Sequence, residues 1–181
     1  MPGYSNYAYL LLLHEVFLMK RASTLFLRLV ICLIAAGSLI WLIWFPQLEG
    51  RAADLDLISI YMDPLIIYTF IGSIPFFIAL YQAFIFLGYV DRDKVFSLSS
   101  VNAVRSIKYC AMAFGSFIVL GILYIRIRYA SVPVTDDDPA GVTALGIFTT
   151  FISIVIATVF AVFQKLLQNA VDMKSENDLT V

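Results

Sequence analysis

The chain has 181 residues, 61% of them hydrophobic and only 14% charged, with a formal net charge of -1 at pH 7; its mean hydropathy is +0.91. So large an apolar share exceeds what a soluble domain of this length needs for one core, and it leaves room for one membrane-embedded domain.

In chain order, the first 18 residues carry Tyr4, Tyr7 and Tyr9, the run Leu10 to Leu13, then His14 and Glu15. They have no basic start, which argues against a signal peptide, and Lys20 and Arg21 interrupt the apolar run before it could span. Residues 1–18 are therefore expected to be an upstream extension, poorly ordered or lying on the interface through Tyr and Leu, with Met19 as the natural start. Residues 19–181 are expected to form a four-helix transmembrane domain with an amphipathic cytoplasmic C-terminal extension.

Four apolar segments, from Leu25 to Phe45, Pro64 to Val90, Ile107 to Ile127 and Pro139 to Leu167, each reach the ~20 residues that cross ~30 Å of hydrocarbon. The expected fold is all-α: a polytopic membrane protein with four transmembrane helices. Asp63-Pro64 and Asp138-Pro139 are helix-start chemistry, a capping carboxylate followed by a proline at the first helical position. Asp136, Asp137 and Asp138 read as a solvated loop and cap rather than a cation site, because adjacent carboxylates seldom converge on one ion. Pro75 removes a backbone hydrogen bond and clashes with the Ile71 carbonyl, which predicts a bend in the second span. Trp41, Trp44, Phe45, Tyr124 and Tyr129 at one boundary, with Tyr89 and Tyr109 at the other, form aromatic belts.

Thr149, Ser153, Ala157 and Ala161 recur every four residues in the fourth span, a small-residue face for close helix packing. Its partner is either a helix of the same chain, the default, or a second copy in a homo-oligomer. Ala111 with Gly115, and Ala79 with Ala83, are shorter versions. Two segments beyond the spans are amphipathic. From Ser97 to Lys108, the residues Leu98, Val101, Val104 and Ile107 recur at helical spacing, which predicts an interfacial helix feeding the third span. Past the fourth span, Phe163, Leu166, Leu167, Ala170 and Val171 continue one apolar stripe, so that helix must protrude or lie on the surface.

Lysine and arginine placement sets orientation. Nine lie on one side (Lys20, Arg21, Arg28, Arg92, Lys94, Arg105, Lys108, Lys165, Lys174) and three on the other (Arg51, Arg126, Arg128). Both termini are thus expected in the cytoplasm, beneath an acidic outer face. Cys32 and Cys110 fall near the cytoplasmic ends of their spans, and no disulfide is expected. His14 is the single histidine, so no metal or other cofactor is expected. Ser38, Ser73, Ser116 and Ser153 have no base nearby in sequence, and an enzyme is not expected. No charged residue sits deep in a span, which weighs against a coupled transporter.

The stretches Tyr81-Gln82-Ala83-Phe84, Val95-Phe96-Ser97 and Ile107-Lys108-Tyr109-Cys110-Ala111, and above all the ending from Lys174 to Val181, resemble the bacterial membrane family called domain of unknown function 2975. The resemblance runs from about Met19 to the C-terminus, is most specific in the last eight residues and loosest in the first and third spans. It implies four spans in the bacterial cytoplasmic membrane and no catalytic residue. It also implies a small helix-turn-helix regulator encoded nearby, hence a DNA-binding protein as partner without direct nucleic-acid contact by this chain. The expected role is a non-enzymatic interaction or regulatory protein that presents Phe96 to Lys108 and Gln168 to Val181 to a cytosolic protein. Arg105, Lys108, Lys174, Glu176, Asn177, Asp178, Leu179 and Val181 are the candidate contact residues. The alternative is a small-molecule transporter, channel or sensor with a site near Pro75, Gln82 and the third span.

Overall fold

A computed structural model describes residues 3–48, 61–129 and 139–179, with side chains over 22–44, 46, 61–127, 141 and 143–177. The described residues form four long helices: α1 (Gly3–Leu48), α2 (Pro64–Asp91), α3 (Leu98–Tyr129) and α4 (Pro139–Leu179). Each contains a stretch long and apolar enough to cross a membrane: Ala22–Trp44, Pro64–Asp91, Leu98–Ile127 and Thr143–Asn177. Consecutive helices run antiparallel, so the start of α1 and the end of α4 share one end of the molecule, called here the terminal end.

The packing is a row. α1 lies on α2, α2 on α3, and α3 most extensively on α4, with no broad contact closing α4 onto α1 among the described residues. In lipid this openness costs little, because large apolar side chains such as Phe26, Leu33, Ile40, Leu145, Phe148 and Phe151 remain exposed to a solvent as apolar as themselves. The spans are apolar around their whole circumference, and contact is set by shape instead. Glycines supply that shape. Gly72 of α2 faces the Phe117 ring and Gly121 of α3 faces the Tyr68 ring, so the two helices exchange an aromatic knob for a glycine hole in each direction. The Tyr68 hydroxyl donates to the Phe117 carbonyl at 2.5 Å, and their rings lie 5.8 Å apart. The α3–α4 seam repeats the device with Gly115 against Ser153 and Gly146 against Ile122.

The ends of the helices are closed by local chemistry. Asp63 caps α2, its Oδ1 accepting from the Leu65 amide at 2.8 Å with Pro64 at the first position. Asp138 lies outside the described residues, and α4 begins at Pro139. The α2–α3 turn is tight: the Lys94 amide donates to the Tyr89 carbonyl at 2.9 Å and the Asp93 amide to that of Val90 at 3.3 Å. This is the paired pattern of a helix terminated by a left-handed residue, here Asp93 with φ 54°. Ser97 then starts α3, its Oγ accepting from the Ser100 amide at 3.3 Å, the same kind of N-cap as Asp63 on α2.

One expectation changes. The segment from Ser97 to Lys108, expected as an interfacial helix feeding the third span, is the opening of α3 itself, continuous from Leu98 to Tyr129, because nothing after Ser97 breaks the helix. α2 is a single helix with Pro75 inside it. The backbone of α1 is helical from Gly3, while the side chains of the first 21 residues, His14 included, lie outside the described residues.

Candidate functional site

The best-packed part of the molecule lies at the terminal end, beyond the apolar centre of the spans. α4 is 41 residues long, which at 1.5 Å per residue is about 60 Å, twice the hydrocarbon thickness. Its excess runs back along the start of α3, and the two amphipathic stripes meet. Val104, Val101 and Leu167 form a core with exposures of 0%, 1% and 4%, sealed by Phe86, Val95, Phe160, Phe163 and Val171. The Phe86 and Phe163 rings meet edge-on at 5.8 Å. Outside hydrocarbon such burial stabilises by roughly 1.5–3 kcal/mol per side chain, a driving force that lipid-facing packing lacks.

Polar contacts fix the register. Lys108 Nζ donates to Gln164 Oε1 at 2.9 Å and sits 4.5 Å above the Tyr109 ring. Ser100 is fully buried, its hydroxyl donating to the Lys94 carbonyl at 2.8 Å, which welds the α2–α3 turn to α3. Gln168 Nε2 donates to Asp172 Oδ1 at 3.0 Å on the surface of α4. The outcome is a packed two-helix platform whose outer surface carries Arg105, Lys174, Glu176 and Asn177, all exposed. Phe96, Leu98 and Met173 add exposed apolar side chains at its edge. Of the candidate contact residues, Lys108 is the one drawn into the helix–helix joint. The side chains of Asp178, Leu179 and Val181 lie outside the described residues.

The stripe on α4 divides by position. Ser153 and Ala157 are buried, Ser153 directly against Gly115 of α3, Thr149 is half-buried and Ala161 exposed. Two grooves flank α3 inside the spans. One, of about 880 Å³, runs between α3 and α4 from Lys108 and Tyr109 to Leu120 and Thr150. The other, of about 450 Å³, lies among α1, α2 and α3 and is lined by Trp41, Tyr68, Ser73, Phe76, Phe114 and Phe117. Gln82 does not line either groove.

One feature escaped the sequence reading. Arg28 Nη2 lies 2.6 Å from Asp91 Oδ2, and its guanidinium stacks 5.3 Å from the centre of the Phe84 ring. Through this pair Arg28 ties α1 to the last turn of α2. The available signal was an arginine one turn inside a span, which needs a partner.

The four span serines singled out above are committed to their own helices. Ser38 donates to Ile34, Ser73 to Phe70, Ser116 to Met112 and Ser153 to Thr149, the usual way a hydroxyl is satisfied in hydrocarbon. Among the described residues no three His, Cys, Asp or Glu side chains converge as metal ligands. The arrangement offers surfaces and apolar grooves, with its charges gathered at the ends.

Comparison with known proteins agrees with this membrane architecture. The family model described as "Protein of unknown function (DUF2975)" matches residues 51–181. The "Uncharacterized membrane protein YoaS" of Bacillus subtilis (strain 168) is 41% identical over 167 residues, covering 90% of this chain and 100% of that protein. No solved structure matches. A profile match over well more than half of the chain, joined to a full-length relative that is itself a membrane protein, makes this chain a member of the DUF2975 family of membrane proteins.

Proposed function

We propose that the protein is a non-enzymatic regulatory membrane protein of the bacterial cytoplasmic membrane, with both termini inside, whose α3–α4 platform holds a cytosolic helix-turn-helix regulator. The observation that carries this reading is the mutual burial of the two amphipathic stripes at Val101, Val104 and Leu167. A segment that merely floats on lipid spends its apolar face on the bilayer; here that face is spent on a partner helix, which leaves a rigid, mixed-charge outer surface preorganised for a protein. The nine-to-three placement of Lys and Arg supports an inward-facing platform.

Photo-crosslinking side chains placed at Arg105 and Lys174, with Leu145 on the lipid-exposed face as control, test it in cells. The expected product is an adduct with one cytosolic DNA-binding protein from the two platform positions and none from Leu145. Lipid adducts alone at all three positions would overturn the reading.

The alternative, a small-molecule transporter, channel or sensor, is favoured by one observation: the roughly 450 Å³ apolar groove reaches Ser73 and Phe76 on either side of Pro75, where the helix has lost a backbone hydrogen bond. Saturable binding of an apolar probe to the purified chain, abolished by Gly72→Leu, would favour it.

A further inference from the structure

We infer that the groove between α3 and α4 binds one anionic phospholipid, its phosphate at Lys108 and its acyl chain lying in the slot above. At about 880 Å³ the groove falls within the size range of ligand sites. Its floor is Gly115, Ser153 and Ala157, all buried, and its rim is Met112, Val119 and Ile154, so the slot is apolar and open to lipid. From Lys108 to Leu120 it is about 18 Å long at 1.5 Å per residue, close to one leaflet of a ~30 Å hydrocarbon core.

Charge is confined to one end. The Lys108 ammonium has three donors, of which Gln164 takes one, and Tyr109 supports it from below. Arg105 lies one turn before Lys108 on α3, and Lys165 one turn after Ala161 on α4; both are exposed. No Asp or Glu occurs in α3, and the first acid after Lys165 is Asp172, which engages Gln168. One cation lining the mouth of an apolar slot of leaflet depth, with two more within a helical turn of its lining residues, matches a phosphate headgroup with its chain, as basic pockets between transmembrane helices do. A second copy of the chain fits less well: a two-fold axis along the membrane normal would bring both cation clusters together at the same depth.

The proposal fails or stands separately from the partner reading: Arg105 belongs to both surfaces, but the groove itself lies along the span and a different probe reports on it. The test is native mass spectrometry of the full chain in detergent with added phosphatidylglycerol or phosphatidylcholine. The wild type is expected to retain phosphatidylglycerol preferentially. Lys108→Gln should lower that retention about fivefold, the equivalent of ~1 kcal/mol per basic residue at an anionic headgroup, while Lys108→Arg keeps it. Ala161→Phe should fill the slot and reduce retention of both lipids. Lys174→Gln, off the groove, should change nothing. Equal retention of the two lipids by the wild type, an equal fall in Lys174→Gln and Lys108→Gln, or a dimer that Ala161→Phe dissociates would each overturn the proposal, the last by assigning the groove to a second copy.

Discussion

Arg28 on α1 and Asp91 at the end of α2 form an ion pair of 2.6 Å, although 63 residues separate them in the chain. α1 touches the rest of the row chiefly through α2, and Gly88 leaves the room its guanidinium needs, an added Cβ there standing 3.4 Å from Arg28 Nη2. The pair therefore acts as the clasp of the most peripheral helix.

Removing the carboxylate should loosen α1 more than any other element. Asp91→Ala leaves Arg28 with only the Phe84 ring at the helix boundary, and charge-assisted hydrogen bonds of this kind contribute about 1.5–3 kcal/mol. A lowered melting temperature in detergent is expected, with partial recovery in the swapped pair Arg28→Asp with Asp91→Arg. Equal melting of wild type and Asp91→Ala would mean that the pair contributes nothing to holding α1.

The α3–α4 seam should be intolerant of added volume. A Cβ on Gly146 would sit 2.6 Å from Ile122 Cδ1 and 2.8 Å from its Cγ1, so the half-buried isoleucine must shift to admit it. Gly146→Ala and Ala157→Leu are each expected to cost about 1–3 kcal/mol by overpacking, and Ile122→Ala should relieve the first. Val159→Leu, on an exposed face of the same helix, serves as the neutral control. An unchanged melting temperature for Ala157→Leu would show that this face sees lipid.

What could be read in advance follows from the range of each interaction. The spans and the Asp63-Pro64 start are local signals, carried by hydropathy over ~20 residues and by adjacent side chains, and the structure has them close to where they were expected. The amphipathic stripes at Val101, Val104 and Leu167 were equally legible as faces. A periodic pattern says that a face is covered and not what covers it, so the pairing of the two stripes with one another was invisible. Helices that are apolar all round give no moment to orient them, and for that reason the exchange of Tyr68 and Phe117 for Gly121 and Gly72 needed coordinates. Arg28 with Asp91 was hidden by sequence distance alone.

The platform core should hold the end of α4. Leu167 is 4% exposed between Val101 and Val104, and its truncation to alanine should cost about 2–5 kcal/mol of local stability. Since the spans are set by lipid and not by this cluster, insertion and abundance should persist. Hydrogen exchange is the suitable readout: Leu167→Ala should lose amide protection from Gln164 onward while the centre of α4 keeps it. Loss of protection along the entire helix would mean that the terminal end and the span unfold as one unit.

Orientation rests on the placement of basic residues, and labelling can decide it directly. Cys32 and Cys110, both inside spans, are first replaced by serine so that only an introduced thiol reports. Asn177→Cys, at an exposed position near the end of α4, is expected to resist a membrane-impermeant maleimide in intact cells and to react once they are opened. Asp54→Cys, in the acidic segment between the first two spans, should react in intact cells. The reasoning is energetic: nine cationic side chains on the terminal side against three opposite are retained on the side where lysine and arginine are not carried across the bilayer. Strong labelling at Asn177→Cys in intact cells would invert the topology and turn the platform away from every cytosolic partner.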